Sequence, residues 1–240
     1  MAVSFVYAKR LAKLGTKLLI PLLVIDTAWS LIHYLIFHTT FNGTIDARYE
    51  NFKLIEGIIT NLLFTSFFVV LTIGMFMLAL YYQKQSKLGI YTSVLLISFI
   101  GIKVVFIVFR FIQLIGSYSQ DYKSNTFYLF ELITSIFLIF ALILYDVFQT
   151  QLKKRANIGY GRSPFPYIFS FFALSYPIAN ILSLAGIDYL NINAAFTILR
   201  TLAFTASILE IIVYFDLLRR FDFMQSLDEI PEKQTTTEEK

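Results

Sequence analysis

Six ionisable side chains stand inside otherwise apolar stretches of this chain: Asp26, Lys103, Arg110, Glu131, Arg200 and Glu210. A lone charge at the centre of a hydrocarbon layer costs about 2.5–3.5 kcal/mol on insertion scales, so such residues usually face a bundle interior, where they pair or line a wet cavity. Lys103 and Arg110 are seven positions apart in "FIGIKVVFIVFRFIQLIG". Seven residues turn a helix through about 700°, so both cations project from one face. A basic stripe at two depths, with acids available on other spans, is the pattern of a polar path for a small ion or polar solute. Buried pairs that fix helix register give the same pattern. Because such pairs contribute little net stability, their number favours the path.

Depth suggests the partners. At 1.5 Å per residue from the expected external helix ends, Arg110, Glu131 and Arg200 fall about 9–12 Å deep, with Glu56 at about 5 Å. Asp26 and Lys103 fall at about 18–21 Å. This predicts an Arg110–Glu131 pair across a short external loop and an Asp26–Lys103 pair near mid-membrane. Glu210, at about 27 Å, has no cationic neighbour in this scheme, which suits a carrier of protons.

The elements that must position these residues are legible from composition. Of 240 residues, 57% are hydrophobic and only 15% charged, with a mean hydropathy of +0.68. Soluble chains carry about 25% charged residues. Apolar stretches of about 20 residues, each able to cross a 30 Å hydrocarbon core, recur along the chain. The expected fold is an all-α integral membrane protein, a bundle of six transmembrane helices. The spans run over Leu18–His38, Phe52–Tyr82, Leu88–Gly116, Phe127–Phe148, Phe165–Ala185 and Ile192–Leu218. Three regions follow: a basic amphipathic N-terminal segment (1–17), the bundle (18–220) and a polar cytoplasmic tail (221–240), acidic and disordered from Gln225 to Lys240. Pro21, Gly101 and Pro177 can loosen their helices, and Pro177 should kink the fifth span.

Charge sets the threading. Lys9, Arg10, Lys13, Lys17, Lys84, Lys87, Lys153, Lys154, Arg155, Arg162, Arg219 and Arg220 flank the spans on one side, against Arg48, Lys53 and Lys123 on the other. The positive-inside rule then puts both termini in the cytoplasm of a cell-membrane protein. Asn42-Gly43-Thr44, a glycosylation sequon, falls in a loop assigned outside. Residues 1–18 place Val3, Tyr7, Leu11, Leu14 and Leu18 opposite Lys9, Lys13 and Lys17, as in a helix lying on the inner leaflet; a solvated basic leader has the same pattern. No small-residue cleavage site follows, so a cleaved signal peptide is not expected.

Several chemistries lose support. The net charge of +4 comes from loop cations that set topology, so nucleic acid is not an expected partner. Cysteine is absent, which removes thiolate metal sites and cysteine catalysis. His33 and His38 lie on one helix and point about 140° apart, unsuited to sandwiching haem. No zinc-hydrolase, serine-hydrolase or P-loop signature occurs, and neither a metal nor a cofactor is expected. Asn157-Ile-Gly-Tyr-Gly161 looks like a potassium-selectivity sequence, but it sits in the most basic loop and reads better as a glycine-rich turn.

The sequence therefore favours a transporter, or the membrane-spanning subunit of a transport complex, working in the lipid bilayer through those charges. A homo- or hetero-oligomer and a cytoplasmic partner protein at the internal loops fit that reading. The alternative is a non-catalytic integral subunit of a larger respiratory or secretion complex. An enzyme acting on lipid-linked substrates comes third, with no catalytic residue to assign.

Overall fold

The computed structural model describes residues 4–40, 47–115, 120–185 and 193–227. All regular structure among them is helical. The helices are α1 (Phe5–Thr40), α2 (Ala47–Tyr81), α3 (Leu88–Ile115), α4 (Gln120–Ala156), α5 (Phe165–Ala173), α6 (Ser175–Leu184) and α7 (Asn193–Phe223). Six segments are long and apolar enough to cross a membrane, with α5 and α6 forming one of them. The chain is a multi-pass membrane protein. The longer helices measure about 42–55 Å at 1.5 Å per residue, so they project beyond a 30 Å core.

Neighbours in sequence are neighbours in space. α1 packs on α2, α2 on α3 and α3 on α4; the α5–α6 span sits between α4 and α7, and α7 returns to α1. The helices thus close a ring. Among the described residues, no two helices approach by backbone across its centre. Side chains fill that centre at one end, where Tyr145, Phe148, Tyr214, Leu217 and Phe221 are buried. This is the end that bears the lysine- and arginine-rich connections.

Where the sequence suggests a separate segment over residues 1–17, α1 runs unbroken from Phe5 past Pro21 to Thr40. The reason lies in small residues. Ala8, Ala12, Gly15 and Leu19 recur at helical spacing and are buried. A Cβ on Gly15 would come within 2.3 Å of the Leu71 backbone nitrogen, and one on Gly74 within 2.2 Å of that of Ala12. Backbones that approach this closely gain dispersion contacts that lipid cannot replace. The lysines of this segment turn outward to the far end of the chain: Lys9 Nζ donates to the carbonyls of Asp222 (3.0 Å) and Met224 (2.7 Å), and Lys13 pairs with the Asp222 carboxylate. Met224 is buried beneath them, as is Ser226, which the sequence assigns to the disordered tail; residues 228–240 lie outside the described residues.

The fifth span is interrupted only at Leu174, one turn before Pro177; Leu174 keeps right-handed helical backbone (φ −59°, ψ −19°) and its N–H still donates to the Ser170 carbonyl at 3.1 Å. Proline has no N–H to offer the carbonyl four residues earlier, here that of Ala173, so the helix loosens in the preceding turn. The Asn157–Gly161 stretch is a turn. Asn157 (φ 55°) and Gly161 (φ 93°) adopt left-handed backbone, and a Cβ on Gly159 would collide with the Gln149 carbonyl oxygen at 2.2 Å. The loop is thereby wound tightly against the end of α4.

Candidate functional site

The filled end of the ring is organised by a cation and two acids. Arg220 on α7 is 1% exposed; its Nε donates to Asp216 Oδ2 at 2.7 Å and its Nη2 to Asp146 Oδ1 on α4 at 2.6 Å. Asp146 Oδ1 also accepts the backbone N–H of Ser163 at 2.9 Å, which fixes the entry to α5. Gln149 donates to the Tyr145 hydroxyl at 2.6 Å beside Met224. One guanidinium therefore ties together α4, α7 and the loop before α5. The charge count assigns Arg220 to a positive-inside flank, and the sequence signal that it does more is Asp216 at i−4. Asp146, seventy-four positions away, has no such local signal.

Toward the opposite end the ring opens into a cavity of about 400 Å³. All six spans line it. α1 contributes Asp26, α2 Glu56 and Asn61, α3 Lys103, α4 Glu131, α6 Tyr176 and α7 Glu210. Measured along the helices, Glu210 lies about 15 Å above Arg220 and Glu131 about 22 Å above Asp146. The cavity is thus set deep in the membrane-spanning part of the bundle, and its size is that of small-molecule sites. The interrupted span reaches it, with Ala173 and Tyr176 flanking Leu174. In membrane proteins, irregular backbone is tolerated where it lines such a space.

Four of the six charges singled out from the sequence meet here, Asp26, Lys103, Glu131 and Glu210, together with Glu56. Arg110 and Arg200 are not in the lining. Arg110 is half-buried with its guanidinium 5.2 Å from the Phe106 ring centroid, and Arg200 is exposed near the start of α7. Lys103 Nζ donates to Asn61 Oδ1 at 3.3 Å and lies 5.9 Å from the ring centroids of Phe99 and Phe106. Counting depth along straight helices brings charges to one level; in the structure Asp26, Glu56, Lys103, Glu131 and Glu210 share one lining. Asn42 lies outside the described residues, as do the side chains of His33 and His38.

Neutral polar and aromatic members of the lining escape a search for charges. They are nevertheless periodic. Glu56, Thr60, Asn61 and Phe64 follow one face of α2, and Glu131, Thr134, Ser135 and Leu138 one face of α4. Across the break, the Tyr176 hydroxyl engages the Ala203 carbonyl at 2.9 Å and Ser207 Oγ at 2.8 Å, fastening α6 to α7 at the cavity wall.

Compared with known proteins, the chain matches no family model, no curated protein and no solved structure. Its site is therefore read from its own chemistry. Four carboxyl groups and one ammonium, arranged around an open volume, form a polar compartment inside an apolar shell. No metal-holding cluster of three His, Cys or acidic residues occurs among the described residues.

Proposed function

We propose that this chain is a transport protein of the cell membrane, or the membrane-spanning subunit of a transport complex, and that the cavity holds the transported solute. The observation that carries the reading is the cavity of about 400 Å³ to which every span contributes, with Asp26, Glu56, Lys103, Glu131 and Glu210 in its lining. Charges at this depth are costly unless they pair or meet water, and a wet polar cavity provides the second condition. By the positive-inside rule the basic end faces the cytoplasm, with both termini there. The Arg220 cluster is then the closed cytoplasmic side of the path, and the break at Leu174 the place where one wall can move.

The test is flux in proteoliposomes carrying the full chain, screened with radiolabelled small ions and polar solutes. Transport of at least one solute that disappears in Glu210→Gln and Asp26→Asn supports the reading. Solute flux that both variants leave unchanged, or none in the wild type against empty vesicles, removes it. An accessory subunit of a larger complex would instead co-purify stoichiometrically with its partners and lose its fold when isolated.

A further inference from the structure

The lining contains two chemical classes besides the lysine. Asp26, Glu56, Glu131 and Glu210 supply carboxyl groups, and Phe64, Phe99, Phe169 and Tyr176 supply aromatic rings. Neither class alone specifies a ligand. Together they do, because carboxylates satisfy a positive charge and aromatic faces receive a cation whose own surface is apolar. An inorganic cation prefers a shell of oxygens, and an anion would meet four carboxyl groups. The combination is that of a site for an alkylammonium ion.

Lys103 shows that chemistry at work. Its side chain is a primary ammonium on a four-carbon stem, and it enters the cavity from α3. Its Nζ meets the neutral Asn61 Oδ1 at 3.3 Å and lies over Phe99 at 5.9 Å, both of which line the same space. The protein's own ammonium thus occupies an amide-and-aromatic corner and is bonded to no single acid. Gly57, on the same wall, has open space where a Cβ would stand, so the compartment is not filled by the lysine.

We infer that the cavity binds a small organic monocation, an amine or quaternary ammonium, and that Lys103 is a tethered competitor that fills the cation position when the ligand is absent. This rests on the transport reading for its purpose but not for its test. A ligand entering the site displaces the Lys103 ammonium from Asn61 and the Phe99 face, and the lysine returns as the ligand leaves. The displaced lysine stays tethered in the compartment, so the ligand adds one positive charge to a lining in which four carboxyl groups outnumber one ammonium.

The experiment uses the full chain in lipid nanodiscs with tetraethylammonium as the probe, and benzoate and sodium as controls, read by thermal shift and by calorimetric titration. The expected result is a dose-dependent rise in Tm with tetraethylammonium and none with benzoate at matched ionic strength. Lys103→Met should bind the probe about tenfold more tightly, the gain expected if the tethered ammonium holds the site nine-tenths of the time. Glu210→Gln and Asp26→Asn should weaken binding. Lys103→Gln provides the same comparison with a polar side chain if the methionine variant does not fold.

Benzoate binding in preference to tetraethylammonium overturns the inference, as does tetraethylammonium binding that is equal in the wild type and both acid variants. Absence of probe binding in the wild type and in whichever Lys103 variant folds overturns it too. If both fold and neither binds the probe more tightly than the wild type, the competitor role falls. Flux in proteoliposomes separates the two claims. Movement of an anion or a sugar without probe binding leaves transport standing and removes the organic cation; probe binding without flux of any solute does the reverse.

Discussion

Two polar regions occupy the centre of the same helical ring, and they are built on opposite terms. At the basic end, Arg220, Asp146 and Asp216 are almost wholly buried, and each charge meets its counter-charge within 2.7 Å. Farther along, four carboxyl groups surround one ammonium, and that ammonium bonds to a neutral amide across 3.3 Å. The first region spends its charges on closing the ring, since one cation bridges helices whose backbones do not touch. The second sets its charges around an open volume. Buried ions closed on one another serve structure; buried ions that line a volume can meet something that enters it.

The contrast breaks most sharply at Arg220. Arg220→Met leaves Asp146 and Asp216 buried without their cation, and removing one partner of such a pair costs about 3–5 kcal/mol. The variant should lose most of its folded yield in mild detergent and show a large fall in Tm by fluorescence-detected unfolding. Glu210→Gln, in the cavity, should change Tm little while abolishing solute flux. Equal damage to stability from both variants would mean that the cavity charges are structural after all.

The next effect lies in the backbone contact that brings α1 into the ring. Gly74→Val sets a branched side chain where a Cβ already lies 2.2 Å from the Ala12 backbone, so α1 must move away. Overpacking of this kind costs about 1–3 kcal/mol, read as a lower Tm in the same assay. Tyr176→Phe should cost less, about 0.5–1.5 kcal/mol, through loss of the hydroxyl contacts with Ala203 and Ser207. Because those contacts fasten α6 beside the helix break, this variant should alter solute flux more than its small effect on Tm would suggest. Unchanged flux would detach the break from function.

Much of this architecture is legible in the sequence because membrane insertion writes itself in long apolar runs. The second, third and fifth spans agree closely in extent with α2, α3 and the α5–α6 pair. The break in the fifth span is announced by Pro177. What the sequence withholds is separation across the ring. Lys103 and Glu131 belong to adjacent helices and Asp26 to a distant one, yet spacing along each helix cannot say how wide the interior is. Depth brings Arg110 and Glu131 to one level, but it does not tell that the guanidinium lies over Phe106 while Glu131 lines the cavity. Arg220 is hidden for a different reason. It stands beside Arg219 at a span end, where composition gives both the same meaning, and only tertiary packing separates the exposed cation from the buried one.

The smallest expected effect on stability is the most telling about the cavity. Gly57 lies on the cavity wall, and a Cβ added there meets nothing within 4 Å. Gly57→Leu therefore forces no helix apart, and its stability should stay within about 0.5 kcal/mol of the wild type, as for substitutions that disturb no packing. The same side chain takes up space beside Glu56 and Asn61, so solute flux should fall steeply while Tm holds. The two glycines of α2 thus report on the two regimes of the bundle: Gly74 is glycine because a neighbouring backbone fills its space, Gly57 because that space is kept open. A large loss of Tm in Gly57→Leu would show that the opening closes in the membrane. Preserved flux with preserved Tm would move the solute path elsewhere.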